Sequence, residues 1–162
     1  MSAVHQFSES NLVGENVTDG ITNLNFGSND SVNLNTTIYP ITRGQSSFEK
    51  YLRCKFTDVY TEISNMKFWK SAGTLVAGET IKAATNQAYV QPSATANADS
   101  DVPTEVGSAL TLQSAEGAAT IIYGASGVSG YTKYVRLQLQ TTVSTPSGAV
   151  NQKTFVFQYD EV

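Results

Sequence analysis

The chain has 162 residues, 40% of them hydrophobic and 15% charged, with a formal net charge of −4. That length supports one domain with a sizeable core, and the acidic balance argues against nucleic-acid binding as the main task. Charge content below the roughly 25% usual for soluble domains is made up by Ser, Thr, Asn, Gln and Gly, which suits strands that meet other protein surfaces and equally suits secreted β-domains.

Residues 1–30 are rich in Asn, Ser and Gly. They carry spaced single apolar residues, among them Phe7, Leu12 and Phe26. A disordered tail carries fewer such residues, so the pattern predicts an extended N-terminal arm anchored on its own domain or on a neighbour. Met1-Ser2-Ala3-Val4-His5 lacks the basic start and apolar run of a signal peptide, and no run of about 18 apolar residues suggests a membrane span.

Residues 31–162 are expected to form a single all-β domain, an antiparallel β-sandwich of jelly-roll-like type. Ser31–Ile41 alternates through Val32, Leu34, Thr36 and Ile38. Ser46–Thr57 puts Phe48, Leu52, Cys54 and Phe56 on one face and Glu49, Tyr51, Arg53 and Lys55 on the other. The same residues also fit a helix face, but strict parity favours a strand. Val59–Ile63 and Met66–Trp69 follow, with a bend or bulge at Ser64-Asn65. Short strands are expected at Thr74–Val76, Thr80–Ala84, Ala88–Gln91, Ala109–Gln113 and Ala118–Tyr123, at the spacing typical of a sandwich or barrel.

Residues 92–108 read as a long polar loop of the binding or mobile kind, and Gly124–Gly130 as a flexible connector. Tyr131–Val143 has the clearest alternation. Val135, Leu137, Leu139, Thr141 and Val143 point one way, and Tyr134, Arg136, Gln138 and Gln140 the other, which predicts one dry and one wet face. A Thr145-Pro146-Ser147-Gly148 turn leads into a last strand over Val150–Tyr159.

The residues offer no catalytic or cofactor constellation. The only histidine, His5, has no evident partner, which removes Ser-His-Asp and Cys-His catalysis and histidine zinc sites. Cys54, the only cysteine, lies on an apolar face and reads as a buried thiol, and the lack of a disulfide fits a reducing cytoplasm. Asp99 and Asp101 with Asn97 offer oxygen ligands, but the segment lacks the Gly and distal Glu of a calcium loop. No catalytic residue, cofactor or metal is therefore expected.

The charges are segregated. Residues 1–42 hold no Lys or Arg, residues 43–70 hold six of the ten bases, and a second acid-only stretch carries Asp99 and Asp101. Such segregation can steer one copy onto another or onto a larger assembly. Trp69, between Lys67 and Lys70, lies on the opposite parity from Met66 and Phe68 and is the aromatic residue placed to meet a partner, a corner of the core being the other reading. The partner-binding candidates are Phe7, Leu12, Phe26, Arg53, Lys67, Trp69, Lys70, Asp99 and Asp101. Exposed Tyr and Trp also fit a carbohydrate-binding module, which is the rival reading.

Four segments occur together in order: Phe48-Glu49-Lys50-Tyr51-Leu52-Arg53, Ile63-Ser64-Asn65-Met66-Lys67-Phe68-Trp69, Val102-Pro103-Thr104-Glu105-Val106-Gly107-Ser108-Ala109-Leu110 and Phe155-Val156-Phe157-Gln158-Tyr159-Asp160-Glu161. Over residues 31–162 this pattern resembles virion structural proteins of tailed bacteriophages, of the auxiliary head type. The resemblance implies a non-enzymatic cement protein on the capsid surface, made in the host bacterial cytoplasm. Its implied partners are the major capsid protein and further copies of itself, a trimer being a common form. Nucleic acid, membrane and small-molecule substrate are not among them. A tail tube or baseplate component is the variant of the same reading.

Overall fold

The computed structural model describes residues 3–57, 59–115, 119–124, 129–148 and 151–162. The expected strand start at Ala118, the 125–128 part of the expected glycine connector and the expected strand start at Val150 lie outside the described residues. Among the described residues eleven strands run in chain order: β1 Val4–Asn11, β2 Asn16–Asp19, β3 Lys50–Thr57, β4 Glu62–Ala72, β5 Glu79–Asn86, β6 Ser100–Asp101, β7 Leu110–Thr111, β8 Ile122–Tyr123, β9 Gly130–Tyr131, β10 Tyr134–Thr141 and β11 Thr154–Glu161. The larger sheet has the order β2-β1-β3-β10-β5-β6, with β9 also on β3; the smaller has β11-β4-β7, with β8 also on β4. All the pairings are antiparallel. The fold is an all-β sandwich.

Period-two alternation builds the space between the sheets. Leu52, Cys54 and Phe56 from β3, Ile81 and Ala83 from β5, and Val135, Leu137 and Leu139 from β10 are all buried. They belong to one cluster with Ile63, Met66 and Phe68 of β4, and Phe155, Phe157 and Tyr159 of β11 pack against it. Aromatic contacts add to this packing: Phe56 of the larger sheet meets the Tyr159 ring of the smaller edge-on at 5.0 Å, and within the smaller sheet Phe68 stacks on Phe155 at 5.7 Å. Each fully buried ring of this size is worth roughly 1.5–3 kcal/mol of transfer free energy. Parity alone thus chose strand over helix for residues 50–57.

Where strand expectations failed, local hydrogen bonding or a bulge explains the difference. Residues 31–41 form turns instead of a strand. Asn33 has a φ of 51°, and the Asn35 side chain accepts the Thr37 amide at 3.0 Å while its carbonyl accepts from Ile38 and Tyr39. Asn side chains compete with the sheet ladder in this way. Only Leu34 of that stretch is deeply buried, and Ile38 faces solvent. Thr74–Val76 becomes the turn into β5, with Glu79 Oε2 accepting the Val76 amide at 2.9 Å. Ala88–Gln91 is irregular chain. The expected pair 59–63 and 66–69 is a single strand, β4, in which Asn65 has a φ of 50°; the β11 register slips between Gln158 and Asp160 opposite it. The bend is therefore a β-bulge, and Asn tolerates its left-handed backbone. Gly73 has a φ of 87°, and a Cβ there would meet the Gln152 carbonyl oxygen at 2.3 Å, so only glycine fits.

The N-terminal region differs most from the arm expected over residues 1–30. Residues 4–19 form the β1–β2 hairpin, and β1 pairs with β3 over seven registers from Val4↔Thr57 to Ser10↔Tyr51. Ser8, Glu9, Ser10 and Asn11 are all buried. The segment is polar because its contacts are hydrogen bonds and an ion pair, so composition read as an appendage what is part of the larger sheet. Beyond the hairpin, residues 20–30 are irregular, and Ile21, Leu24 and Phe26 anchor them on the core.

A chain starting at Gly20 is expected to lose its cooperative thermal transition in far-UV circular dichroism. The deletion bares the edge of β3 and strips a buried lysine of its counter-ion, a loss of about 3–5 kcal/mol against total stabilities of about 5–15 kcal/mol. A truncated chain that melts as the full chain does would mark the hairpin as an accessory.

Candidate functional site

Three arrangements have the charge or shape to act: an inward-facing ion pair, a strapped outer face on the larger sheet, and a cleft between the sheets. The first begins with Lys50 and Glu9, which share core-facing parity with Leu52 and Phe7. Lys50 Nζ lies 2.8 Å from Glu9 Oε1, with side-chain exposures of 0% and 1%. Nζ also donates to the Ser31 carbonyl at 2.8 Å. Asn11 Nδ2 donates to Glu9 Oε1 at 2.9 Å and to Asp30 Oδ1 at 3.0 Å, and Asp30 Oδ2 accepts the Leu12 amide at 2.7 Å. The network locks β1, β3 and residues 30–31 together. Its task is structural.

The outer face of β10, expected to be wet, is covered. Gln138 is fully buried; its Oε1 accepts the Asn97 amide at 2.9 Å, and its Nε2 donates to the carbonyls of Ser47 at 3.0 Å and Thr95 at 2.9 Å. Arg136 grips Asp99 with two bonds, Nε to Oδ2 at 2.9 Å and Nη2 to Oδ1 at 2.6 Å. Glu49 accepts from Asn97 Nδ2 at 3.0 Å and from the Ser93 amide at 3.2 Å. Residues 93–99 of the expected long loop are thus a strap fastened across the sheet, and Asp101 continues it in β6 with an ion pair to Lys82 at 2.7 Å.

Beside the strap lies a tyrosine cluster. Tyr51 meets Tyr89 edge-on at 5.2 Å and Tyr134 at 5.9 Å. Burial pushes the Tyr134 hydroxyl up to about 12, and its hydrogen bond to the Glu15 carboxylate adds to the shift. Burial also raises Tyr51 and Tyr89. Arg53 runs into this cluster. Its guanidinium carbon sits 4.3 Å from the Tyr131 ring centroid and 5.1 Å from that of Tyr134. Its Nε is buried and donates no hydrogen bond among the described residues. The neighbouring carboxylates are engaged elsewhere: Asp19 by Lys55 at 2.6 Å and Ser8 at 2.5 Å, Glu15 by Ser10 at 2.9 Å and by Tyr134. The Lys55 contact holds the Asp19 carboxyl below its usual range. Among the described residues Arg53 thus makes cation–π contacts and no close ion pair, and its charge adds only the smallest of the influences that lower the Asp19 carboxyl.

The third feature is a cleft of about 960 Å³ between the sheets, where β5 begins and β10 ends. Leu52, Phe68, Ile81 and Leu139 line it together with Phe7, Leu24, Phe26 and Phe155. Residues 21–26 and 36–43 contribute Asn, Thr and Pro side chains and Arg43. Glu79 and Lys153 also line it but neutralise each other, with Lys153 Nζ 2.7 Å and 2.9 Å from the two carboxylate oxygens.

The residues singled out from the sequence are not on one face. Phe7 packs edge-on to Phe157 at 6.1 Å, and Phe26 lines the cleft beside it. Leu12 is half exposed in the β1–β2 turn with a φ of 64°. Lys67 and Trp69 share the outer face of the smaller sheet, both half-buried, whereas Lys70 turns inward and donates to the Gly73 carbonyl at 2.7 Å. Asp99 and Asp101 serve the strap.

Tyr131 and Arg43 escaped the sequence reading as site residues. Tyr131 has the wrong parity for Tyr134's face in an unbroken strand. The break at Thr132-Lys133, where Thr132 Oγ1 accepts the Cys54 amide at 3.0 Å, resets that parity. Nothing in the sequence marked it. Cys54 itself is buried, and burial raises its thiol to about 12. No protein-family model, curated protein or solved structure matches the chain.

Lys50→Met should cost about 3–5 kcal/mol, because it leaves Glu9 buried and uncompensated, and pairing it with Glu9→Leu should recover much of the loss; urea melts of the two variants check this. Tyr134 makes a second expectation, at high pH. Its folded pKa lies above the unfolded value of about 10, so its contribution is complete below that value. Stability should fall as pH rises from about 10 towards about 12, where the phenol ionises in the folded protein too. Tyr134→Phe should flatten that part of a Tm-versus-pH profile.

Proposed function

We propose that the chain is a non-enzymatic structural protein of a tailed-bacteriophage particle, a decoration or cement protein that binds the major capsid protein on the head and associates with copies of itself. It is made in the host cytoplasm and ends on the virion. The four-segment resemblance supports this reading, and Arg53 is the observation in the molecule that carries it. A guanidinium flanked by Tyr131 and Tyr134, with a buried Nε and no carboxylate in ion-pair contact among the described residues, is a contact prepared for a partner's carboxylate. Arginine and tyrosine are enriched at the energetic centres of protein interfaces, and a carboxylate there makes a charge-assisted pair.

The paired state of five of the other nine cations sharpens the point. Lys50, Lys55, Lys82, Arg136 and Lys153 all hold carboxylates within the chain. On a capsid the contact would repeat at every equivalent lattice position. Many modest contacts then sum to a firm coat if copies also touch one another.

Immunogold electron microscopy of purified virions, with antibody to the recombinant chain, is expected to label the head at regular spacing. In co-sedimentation with capsids, Arg53→Ala should bind at least tenfold more weakly than the parent while keeping its circular dichroism spectrum. Label on the tail, or none, overturns the assignment. Unchanged capsid affinity in Arg53→Ala removes Arg53 as the contact.

A further inference from the structure

The cleft between the sheets has no part in that reading, and its chemistry is unlike that of the Arg53 face. At about 960 Å³ it lies at the upper end of the range for small-molecule sites, roughly 300–1,000 Å³. Its floor is the closed core, with Leu52, Ile81, Leu139 and Phe68 each at most 6% exposed, and the apolar surface it leaves reachable is that of half-buried Phe7, Leu24, Phe26 and Phe155. The aromatic lining is phenylalanine only, without the Tyr or Trp that stack on sugars through a polar-edged ring.

Charge in the cleft is equally selective. Glu79 is saturated, since Lys153 takes both its oxygens and the Val76 amide donates to Oε2 at 2.9 Å. That leaves Arg43, exposed and without an ion pair among the described residues, as the cation able to meet a ligand. An apolar interior with one available cation in its wall selects for a molecule with an apolar body and one anionic end. A sugar would leave the apolar walls unmatched, and an uncharged lipid would leave Arg43 unused.

We propose that the inter-sheet cleft binds a long-chain carboxylate, its alkyl chain lying against Phe7, Leu24, Phe26 and Phe155 and its head group held by Arg43. Burial of the chain supplies most of the affinity, since each buried methylene contributes about 0.8 kcal/mol. The head group supplies orientation. Residues 21–26, held on the core by half-buried Ile21, Leu24 and Phe26, close one side of the site.

The test uses the full chain and a fluorescent fatty-acid probe, 11-(dansylamino)undecanoate, displaced in turn by dodecanoate and by dodecanol. The expected result is one saturable site per chain, with dodecanoate bound about tenfold more tightly than dodecanol. Arg43→Glu should remove that preference while leaving dodecanol binding unchanged. Leu24→Trp, which fills the cleft from its half-buried wall, should abolish both. Arg43 is exposed, so its variant tests the site whatever Leu24→Trp does to folding. Three results overturn the proposal: no saturable binding, equal affinity for the two head groups, or dodecanoate affinity unchanged in Arg43→Glu. Each is independent of whether the protein labels a phage head.

Discussion

Glu9 and Lys50 face each other inside the molecule, 2.8 Å apart and closed to water, and much of the architecture follows from keeping them so. Removing two charges from water costs several kcal/mol each, and only close pairing with further hydrogen bonds offsets it. Lys50 begins β3, the strand that carries β1 on one side and β10 and β9 on the other. Any register of β1 other than Glu9↔Leu52 would move Glu9 away from Lys50 and Asn11 away from Asp30. A slip of one residue would also turn Phe7 out of the core. The ion pair therefore fixes the register of the hairpin, and the hairpin closes one flank of the larger sheet.

On the opposite face of the same sheet, polar chemistry does what apolar packing does inside. Gln138, Arg136 and Glu49 hold residues 93–99 across β10 through side-chain bonds to amides, carbonyls and Asp99. A buried glutamine that found no partners would cost about 1–3 kcal/mol, so the strap and the strand depend on each other. This explains a chain with little charge and much Asn, Gln, Ser and Thr. Much of that polarity is spent inside, between layers, and the contacts left for partners are few. Arg53 between two tyrosines and Arg43 in the cleft wall stand out for this reason.

How much could be read beforehand depended on whether the deciding contacts were local. The core strands around Leu52-Cys54-Phe56 and Val135-Leu137-Leu139 were legible because parity is a property of consecutive residues. The Ser64-Asn65 irregularity was legible too, since Asn is a residue that accepts the left-handed backbone of a bulge. Residues 31–41 misled because their alternation was real but Asn35 captured the local amides first. The N-terminal region misled for the opposite reason. Its burial is polar, and hydropathy does not see an ion pair formed 41 residues away along the chain.

The sequence by itself determined the all-β class, the core faces of β3, β4 and β10, and the buried state of Cys54, since each rests on alternation within a few residues. The tertiary structure decided which polar residues are buried, which cations keep a partner, and where the sheets part to leave a cleft. Arg53 and Arg136 sit on adjacent strands of one face, yet one is saturated by Asp99 and the other is not. That difference comes from where a distant loop lands, and hydrogen bonds and ion pairs between remote segments leave no periodic trace in the chain.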